Sequence, residues 1–191
     1  MCDDIKVLWD AGLTDREYHA IGDIVAQWGA LEFEVFEQTL SSFGSSLRRE
    51  TLPKEMNNLN FTSVLKLWKE RVVDAAKHET KKVLQEAYEK IVTLQDARNS
   101  IIHGMWEISV SSPKEISTLR VKKDQIIRAK FEDGYLASLA VKIAELNMNI
   151  RYPGGPTEAF EEQMKLHGIY INRAAMRRLN LDSASNPKNK T

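Results

Sequence analysis

Two residues near the middle of the chain, Arg98 and His103, are of types that can do chemistry together. A guanidinium presents a rigid fork of donors that fits a phosphate or a carboxylate, and an imidazole takes up or releases a proton near neutral pH. Arg98 falls on the apolar stripe of a predicted helix, between Leu94 and Ile102. A charge on such a stripe is costly unless it is paired or hydrated. The sequence therefore predicts that Arg98 either has an acidic partner or faces a functional cleft.

The same two residues also have a purely structural interpretation. Arg98 could be the buried partner of Glu32, an acid on the first predicted helix. His103 lies in the last turn of its helix, where it could donate to the final carbonyls and interact favourably with the helix dipole. Because Arg98 and Glu32 fall near the inner faces of adjacent helices, we expect them within about 6 Å, the range of a strong charge contact.

The elements that must position these residues are mostly helical. The 191 residues include only nine Gly and five Pro, which favours long helices and few loops. Residues 14–17 (Thr-Asp-Arg-Glu) have the pattern of a capping box, and apolar residues then recur at helical spacing to Ser42. A second helix carries its apolar stripe from Phe61 to Ala75. A third ends at Gly104, a residue type favoured just past a helix end, and a fourth runs from about Gly134 to Ile150.

Between the third and fourth helices the apolar period changes from 3.6 to 2. Trp106–Val110 and Thr118–Lys122 alternate like the strands of a hairpin, and Ile126–Phe131 could add a third strand. Residues 152–156, with two Gly and two Pro, break the chain before a last helix at about 157–180.

One domain over residues 1–181 accommodates these elements. We predict a mainly α fold, an up-and-down four-helix bundle with its core at about 14–150. A small β-hairpin insertion follows the third helix, and a C-terminal helix completes the domain. Residues 182–191 are predicted to be a disordered tail.

Composition limits the class of protein. Apolar residues make up 42% and charged residues 28%, values typical of a folded domain. No apolar stretch is long enough to cross a membrane, and the acidic start is unlike a signal peptide. The single Cys2 cannot form a disulfide within the chain, so a reducing, cytoplasmic setting is expected. The four His residues have no ligand spacing and there is no phosphate-binding loop, so neither a metal nor a cofactor is predicted.

The net charge of zero hides an asymmetry along the chain. Residues 1–47 carry nine acids and two bases, whereas residues 48–191 carry eighteen acids and twenty-five bases. Such a split allows a local basic face, although charges also simply solvate helix surfaces.

The segment from Arg98 to His103 resembles the Arg-x4–6-His motif of the HEPN superfamily, here with four intervening residues and the polar Asn99 directly after the arginine. The strings Trp28–Glu32 and His103–Trp106 are also similar to members of that superfamily. The resemblance covers about residues 14–150. It implies a helical bundle with the motif at the end of the third core helix.

The resemblance implies an activity, which is metal-independent RNA cleavage of the toxin or phage-defence type. His103 would take the proton from a ribose 2′-OH, Arg98 would hold the phosphate and its developing charge, and Asn99 would bind the backbone or orient the histidine. The products would be a 2′,3′-cyclic phosphate and a 5′-OH. Because one chain supplies one His103, a homodimer through the third and fourth helices would provide both a base and an acid.

A non-catalytic role is the alternative that the same resemblance implies. Many HEPN-like proteins are assembly modules, so the chain could instead dimerise or bind a partner such as an antitoxin or a nucleotidyltransferase. A second pair with the family's spacing, Arg71 and His78, lacks the polar residue after the arginine and the Gly after the histidine. We interpret that second pair as coincidental.

Further binding residues are expected around the predicted hairpin. Its bases, including Arg120, Lys122 and Lys123, could bind RNA or a partner, or could protect strand edges from aggregation. Trp106, just past the motif, could stack on a base or pack against the bundle.

Overall fold

The computed structural model describes residues 12–44, 52–108 and 115–165. These residues form five α-helices and three strands, in the order α1 (Asp15–Ser42), α2 (Phe61–Trp68), α3 (His78–His103), β1 (Met105–Ile108), β2 (Ile116–Lys122), β3 (Gln125–Phe131), α4 (Tyr135–Arg151) and α5 (Pro156–Lys165). The chain is therefore mainly helical, as predicted, with a small antiparallel sheet.

Helix α1 begins at the predicted capping box. The hydroxyl of Thr14 accepts from the Glu17 amide at 3.3 Å, and the Glu17 carboxylate accepts from the Thr14 amide at 2.6 Å. The buried side of α1 packs mainly along α4, where Asn147 donates through Nδ2 to the Gln27 carbonyl at 2.9 Å. The buried residues of α1 are Ala20, Ile24, Trp28, Leu31, Val35, Thr39 and Leu40.

The second helix differs from the prediction because its register changes after Trp68. A π-helical turn at Lys69–Val73 follows α2, and the Asp74 amide donates to the Lys69 carbonyl five residues back, at 2.9 Å. The wider turn puts Val73 on the buried side that Trp68 occupies, whereas Ala75, predicted to be on the apolar stripe, is exposed.

The β segment is a three-stranded antiparallel sheet in the order β1-β2-β3. The predicted hairpin is its first two strands, and the third strand extends it. One face is buried through Ile116, Thr118 and Phe131. The Phe131 ring lies 6.0 Å from that of Trp106 and 5.4 Å from that of Tyr135, which joins the sheet to the start of α4.

Two compact units divide the chain, residues 1–153 and 154–191. The first contains α1 to α4 and the sheet. In the second, α5 begins where the Gly154 amide donates to the Glu158 carboxylate at 2.7 Å. The remainder of the predicted C-terminal helix and the predicted tail lie outside the described residues. No helix in the described part is long and apolar enough to cross a membrane.

Candidate functional site

The end of α3 brings together the residues of the Arg-x4-His motif. Arg98 Nη1 donates to Oδ1 of Asn99 at 3.0 Å and lies 3.5 Å from Nε2 of His103. Arg98 Nη2 lies 4.0 Å from Oε1 of Glu32 on α1. The predicted proximity of Arg98 and Glu32 is therefore confirmed. We refer to Arg98, Asn99, His103 and Glu32 as the Arg98 cluster.

A buried aromatic side chain, Trp28, packs against this cluster. Trp28 is buried, and its ring centre lies 5.5 Å from the Arg98 guanidinium carbon. Its indole Nε1 donates to Glu32 Oε1 at 2.7 Å, and its ring packs roughly perpendicular to that of Phe61, with the ring centres 5.9 Å apart. Trp28 thus provides a flat surface for the guanidinium and also fixes the carboxylate beside it.

The Arg98 guanidinium is only partly satisfied by these contacts. Its side chain is 22% exposed, and Nε is buried without a hydrogen-bond partner among the described residues. The 4.0 Å separation from Glu32 is an ion-pair distance and too long for a hydrogen bond. Because Nε is buried, Nη2, which makes no hydrogen bond to Glu32, is the nitrogen of Arg98 from which a further anion could accept.

His103 is exposed and is the last residue of α3. Because a guanidinium can only donate, a hydrogen bond between Arg98 and His103 requires the neutral tautomer in which Nε2 is unprotonated. Nε2 is therefore the atom of His103 that can accept a proton beside Arg98. The arrangement places an imidazole and a guanidinium 3.5 Å apart.

Gly104 sets the direction of the chain directly after His103. Its amide donates to the Ser100 carbonyl at 3.0 Å, but its backbone is extended, with φ −84° and ψ 150°. A Cβ at this position would lie 2.3 Å from the Ser100 oxygen and 2.6 Å from Cβ of Thr118. Gly104 is therefore required by the close approach of the Ser100 carbonyl and of Thr118 on β2, and not by the left-handed conformation that often ends a helix.

The predicted basic residues of the sheet have other contacts. Arg120 and Lys122 both donate to Oδ1 of Asp96, at 3.0 and 3.2 Å. The Arg120 side chain is only 12% exposed. These bonds, first from Lys122 and then from Arg120, lower the pKa of Asp96 below its ordinary value. Lys123 is exposed in the β2–β3 turn, where its φ is 59°.

Trp106, the remaining predicted binding residue, is half-buried against the core and packs on Phe131. The structure thus brings Arg98, Asn99, His103 and Glu32 together. Arg120 and Lys122 lie elsewhere and connect β2 to α3 through their ion pairs with Asp96. Trp106 belongs to the packing of the sheet.

Sequence reasoning assigned no role in the site to Trp28 or Asp96. The spacing of Trp28 and Glu32, four residues apart on one helix, is a signal that could have indicated their hydrogen bond. Nothing comparable marks Asp96, because its partners Arg120 and Lys122 lie on a strand more than twenty residues away.

Within the described residues, no group of three or more His, Cys, Asp or Glu side chains could hold a metal ion. No family model, curated protein or solved structure matches this chain. The geometry of the Arg98 cluster and the resemblance of its motif are therefore the observations that bear on function.

Proposed function

We propose that the chain is a HEPN-type endoribonuclease that cleaves RNA at the Arg98 cluster without a metal ion. The observation that supports this most directly is the 3.5 Å contact between Arg98, whose Nη2 could donate to a phosphate, and the exposed imidazole of His103. A phosphate bound by Arg98 lies beside a proton acceptor, which is what transfer of the 2′-hydroxyl proton requires.

Each group has a defined task in the proposed reaction. His103 Nε2 takes the proton of a ribose 2′-OH, and the oxygen forms a bond to the adjacent phosphorus while the bond from phosphorus to the 5′-oxygen breaks. Arg98 neutralises the charge that builds on the phosphate oxygens. Asn99 and Glu32 hold the guanidinium in place. The leaving 5′-oxygen takes up a proton from a second acid, and the products are a 2′,3′-cyclic phosphate and a 5′-OH.

The second acid in this proposal is His103 of another copy of the chain. One described chain contributes one histidine to the cluster, whereas the reaction uses one proton acceptor and one proton donor. A two-fold homodimer supplies both. The proposal also assigns α1 to α4 to an up-and-down HEPN-like bundle, a topology in keeping with the order of these helices and with the position of the motif at the end of α3.

Paired histidine variants test the activity. His103→Ala is expected to lower RNA cleavage by about 10²–10⁴-fold, the usual contribution of a general base. His78→Ala removes an exposed histidine at the other end of α3 and is the matched control, with cleavage expected to stay at the wild-type rate. Cleavage by His103→Ala at the wild-type rate, or no cleavage of any RNA by the wild-type protein, would overturn the proposal.

Paired arginine variants test the anion binder. Arg98→Lys keeps the charge but loses the planar fork, so cleavage is expected to fall at least about tenfold. Arg71→Lys is the control, because Arg71 donates to Ser42 instead, at 3.0 and 2.9 Å. Products are expected to end in cyclic phosphate and cleavage to persist in EDTA, since no step uses a metal.

A non-catalytic HEPN-like module is the second candidate. The contacts of Arg98 with Asn99, Glu32 and Trp28 favour it, because they can also be explained as a buried charge held for stability. In that case Arg98→Lys changes the free energy of unfolding but no catalytic rate. Pull-down with a nucleotidyltransferase or an antitoxin encoded nearby would then identify the partner.

A further inference from the structure

Helix α2 begins beside the Arg98 cluster and is joined to it by two contacts. The Gln95 side chain on α3 donates through Nε2 to the Thr62 hydroxyl at 3.0 Å. The Phe61 ring packs against Trp28, with the ring centres 5.9 Å apart, and Trp28 in turn lies against Arg98. Because Gln95 is one turn before Arg98 on α3, the two contacts fix the start of α2 next to the guanidinium.

Hydrogen bonds set which way two side-chain amides of α3 face. Because Gln95 donates through Nε2, its Oε1 is the atom left to accept from another group. In Asn99 the roles are reversed: its Oδ1 accepts from Arg98 at 3.0 Å, so its Nδ2 is the atom left to donate. Neither Gln95 Oε1 nor Asn99 Nδ2 has a hydrogen-bond partner among the described residues. Both side chains are partly exposed, so an external group can reach them.

An acceptor and a donor therefore lie side by side next to the proposed phosphate binder. Gln95 and Asn99 are four residues apart, a spacing that makes two side chains neighbours on one side of a helix. The edge through which an RNA base pairs in a duplex carries donors and acceptors next to each other. Proteins that recognise unpaired RNA form hydrogen bonds to these edges. The two amides present the complementary pair of atoms without adding a charge.

The order of these residues along α3 suits one nucleotide and its phosphate. With a rise of about 1.5 Å per residue, Gln95 precedes Arg98 by about 4.5 Å along the helix axis, and His103 follows Arg98 by about 7.5 Å. A phosphate at Arg98 would therefore have the proposed proton acceptor toward the end of α3 and the Gln95 amide in the opposite direction. A base joined to that phosphate lies on the side of Gln95.

We infer that Gln95 and Asn99 bind the edge of an unpaired RNA base next to the cleaved phosphate, and that Thr62 positions the Gln95 amide. The inference rests on the proposed ribonuclease function, because it takes the phosphate at Arg98 as the group to which the base is attached. It also specifies the substrate class. The RNA is single-stranded at the cut, since pairing in a duplex would occupy the edge that the amides bind.

Abasic scanning of a short single-stranded RNA tests the base contact. An abasic ribose is placed at each position in turn, and fluorescence anisotropy measures binding to His103→Ala protein, which lacks the proposed general base and leaves the RNA intact. At one position the abasic ribose is expected to weaken binding about tenfold. With Gln95→Leu added, the unmodified RNA is expected to bind about tenfold more weakly, and the abasic ribose to cause little further loss.

Gln85→Leu is the matched control in the same background. Gln85 also lies on α3, about 15 Å before Gln95 along the axis, and its Nε2 also donates to a side chain, that of Glu89 at 2.6 Å. This variant is expected to bind unmodified and abasic RNA as its parent does.

Two substitutions of Thr62 test its positioning role. Thr62→Val removes the oxygen to which the Gln95 amide donates and is expected to reproduce the Gln95→Leu result. Thr62→Ser keeps that oxygen and is expected to bind RNA as the parent does. Equal RNA binding by Thr62→Val and Thr62→Ser would overturn the positioning role.

Cleavage by the otherwise wild-type protein separates this inference from the proposed function. If the protein cleaves RNA, but an abasic ribose weakens binding to Gln95→Leu as much as to its parent, the base contact is overturned and the activity stands. If the protein cleaves no RNA, but one abasic position still depends on Gln95, the base contact stands and the activity is overturned. Equal cleavage of a single-stranded RNA and its duplex would also overturn the base contact, and failure to bind any RNA would overturn both.

Discussion

Trp28 and Glu32 lie one turn apart on α1, and the indole Nε1 of Trp28 donates a 2.7 Å hydrogen bond to Glu32 Oε1. That same oxygen is the one 4.0 Å from Arg98 Nη2. The carboxylate is therefore held by a buried ring while it faces a partly exposed guanidinium. In the proposed reaction Glu32 is a positioning residue, because the contact it makes in the cluster is with Arg98.

Substitutions of Glu32 separate its hydrogen bond from its charge. Glu32→Gln keeps an oxygen for the Trp28 N–H, so the free energy of unfolding is expected to fall by less than about 1 kcal/mol. Glu32→Ala leaves that buried N–H without an acceptor, and a loss of about 1–3 kcal/mol is expected in denaturant unfolding. The exposed Asp23→Ala, with an expected change within about 0.5 kcal/mol, is the control.

The kcat and KM of the same variants test whether Glu32 positions the Arg98 guanidinium for the proposed reaction. Without the Glu32 charge the guanidinium has fewer constraints on its orientation, so Glu32→Gln is expected to lower kcat about tenfold with a smaller change in KM. A purely structural role would leave kcat per folded molecule unchanged. Equal stability of Glu32→Gln and Glu32→Ala would contradict the role of the Trp28 bond.

Gly104 gives a second prediction, which concerns packing. Gly104→Ala would force a methyl group against the Ser100 carbonyl and Thr118, at 2.3 and 2.6 Å. Overpacking of this kind typically costs about 1–3 kcal/mol, and the strain would fall on the residue next to His103. Gly22→Ala is the control. It is expected to raise stability by up to about 1 kcal/mol because its Cβ meets open space. Similar effects of the two substitutions would contradict this account.

The parts of the fold that depend on local pattern could be predicted from the sequence. The capping box at Thr14, the end of α3 at His103 and the change to a period of two all depend on neighbours in the chain. The π-helical turn could not be predicted, because which of Val72 and Val73 is buried is decided by packing against other elements.

The candidate site likewise has a part that the sequence could predict and a part that it could not. The motif placed Arg98, Asn99 and His103 near one another because they occupy two turns of one helix, and the inner-face position of Glu32 predicted its contact. The sheet bases were predicted to be a binding surface, yet Arg120 and Lys122 are held by Asp96. Pairing between elements depends on how β2 packs on α3, which the sequence pattern does not encode.

Asp96 gives a third prediction, which concerns pH. Its pKa is lowered by the bonds from Lys122 and Arg120, so it binds a proton less readily in the folded state than in the unfolded state. Its contribution to stability is therefore present above about pH 4, the unfolded pKa, and is lost as the pH falls through the folded pKa. Because the Asp96 side chain is 70% exposed, that contribution is less than about 1 kcal/mol.

Asp96→Asn tests this linkage by denaturant unfolding across a pH series. The variant is expected to be less stable than the wild type at pH 7, and the difference is expected to disappear as the pH falls below about 4. High salt is expected to reduce the difference at pH 7, since the contact is largely exposed. A difference that grows on acidification would have the wrong sign and would contradict the ion pairs with Lys122 and Arg120.

Thr118 gives the last prediction, because it carries a buried hydroxyl with no hydrogen-bond partner among the described residues. Thr118→Val replaces that hydroxyl with a methyl group of similar size, which removes the cost of burying it, and a gain of about 1 kcal/mol is expected. Thr39 is the matched control, since it is equally buried but donates to the Val35 carbonyl at 2.7 Å. Thr39→Val is expected to lower stability by about 0.5–1.5 kcal/mol. If thermal and denaturant unfolding show that Thr118→Val is the more destabilising of the two, the hydroxyl of Thr118 has a hydrogen-bond partner, which would contradict this prediction.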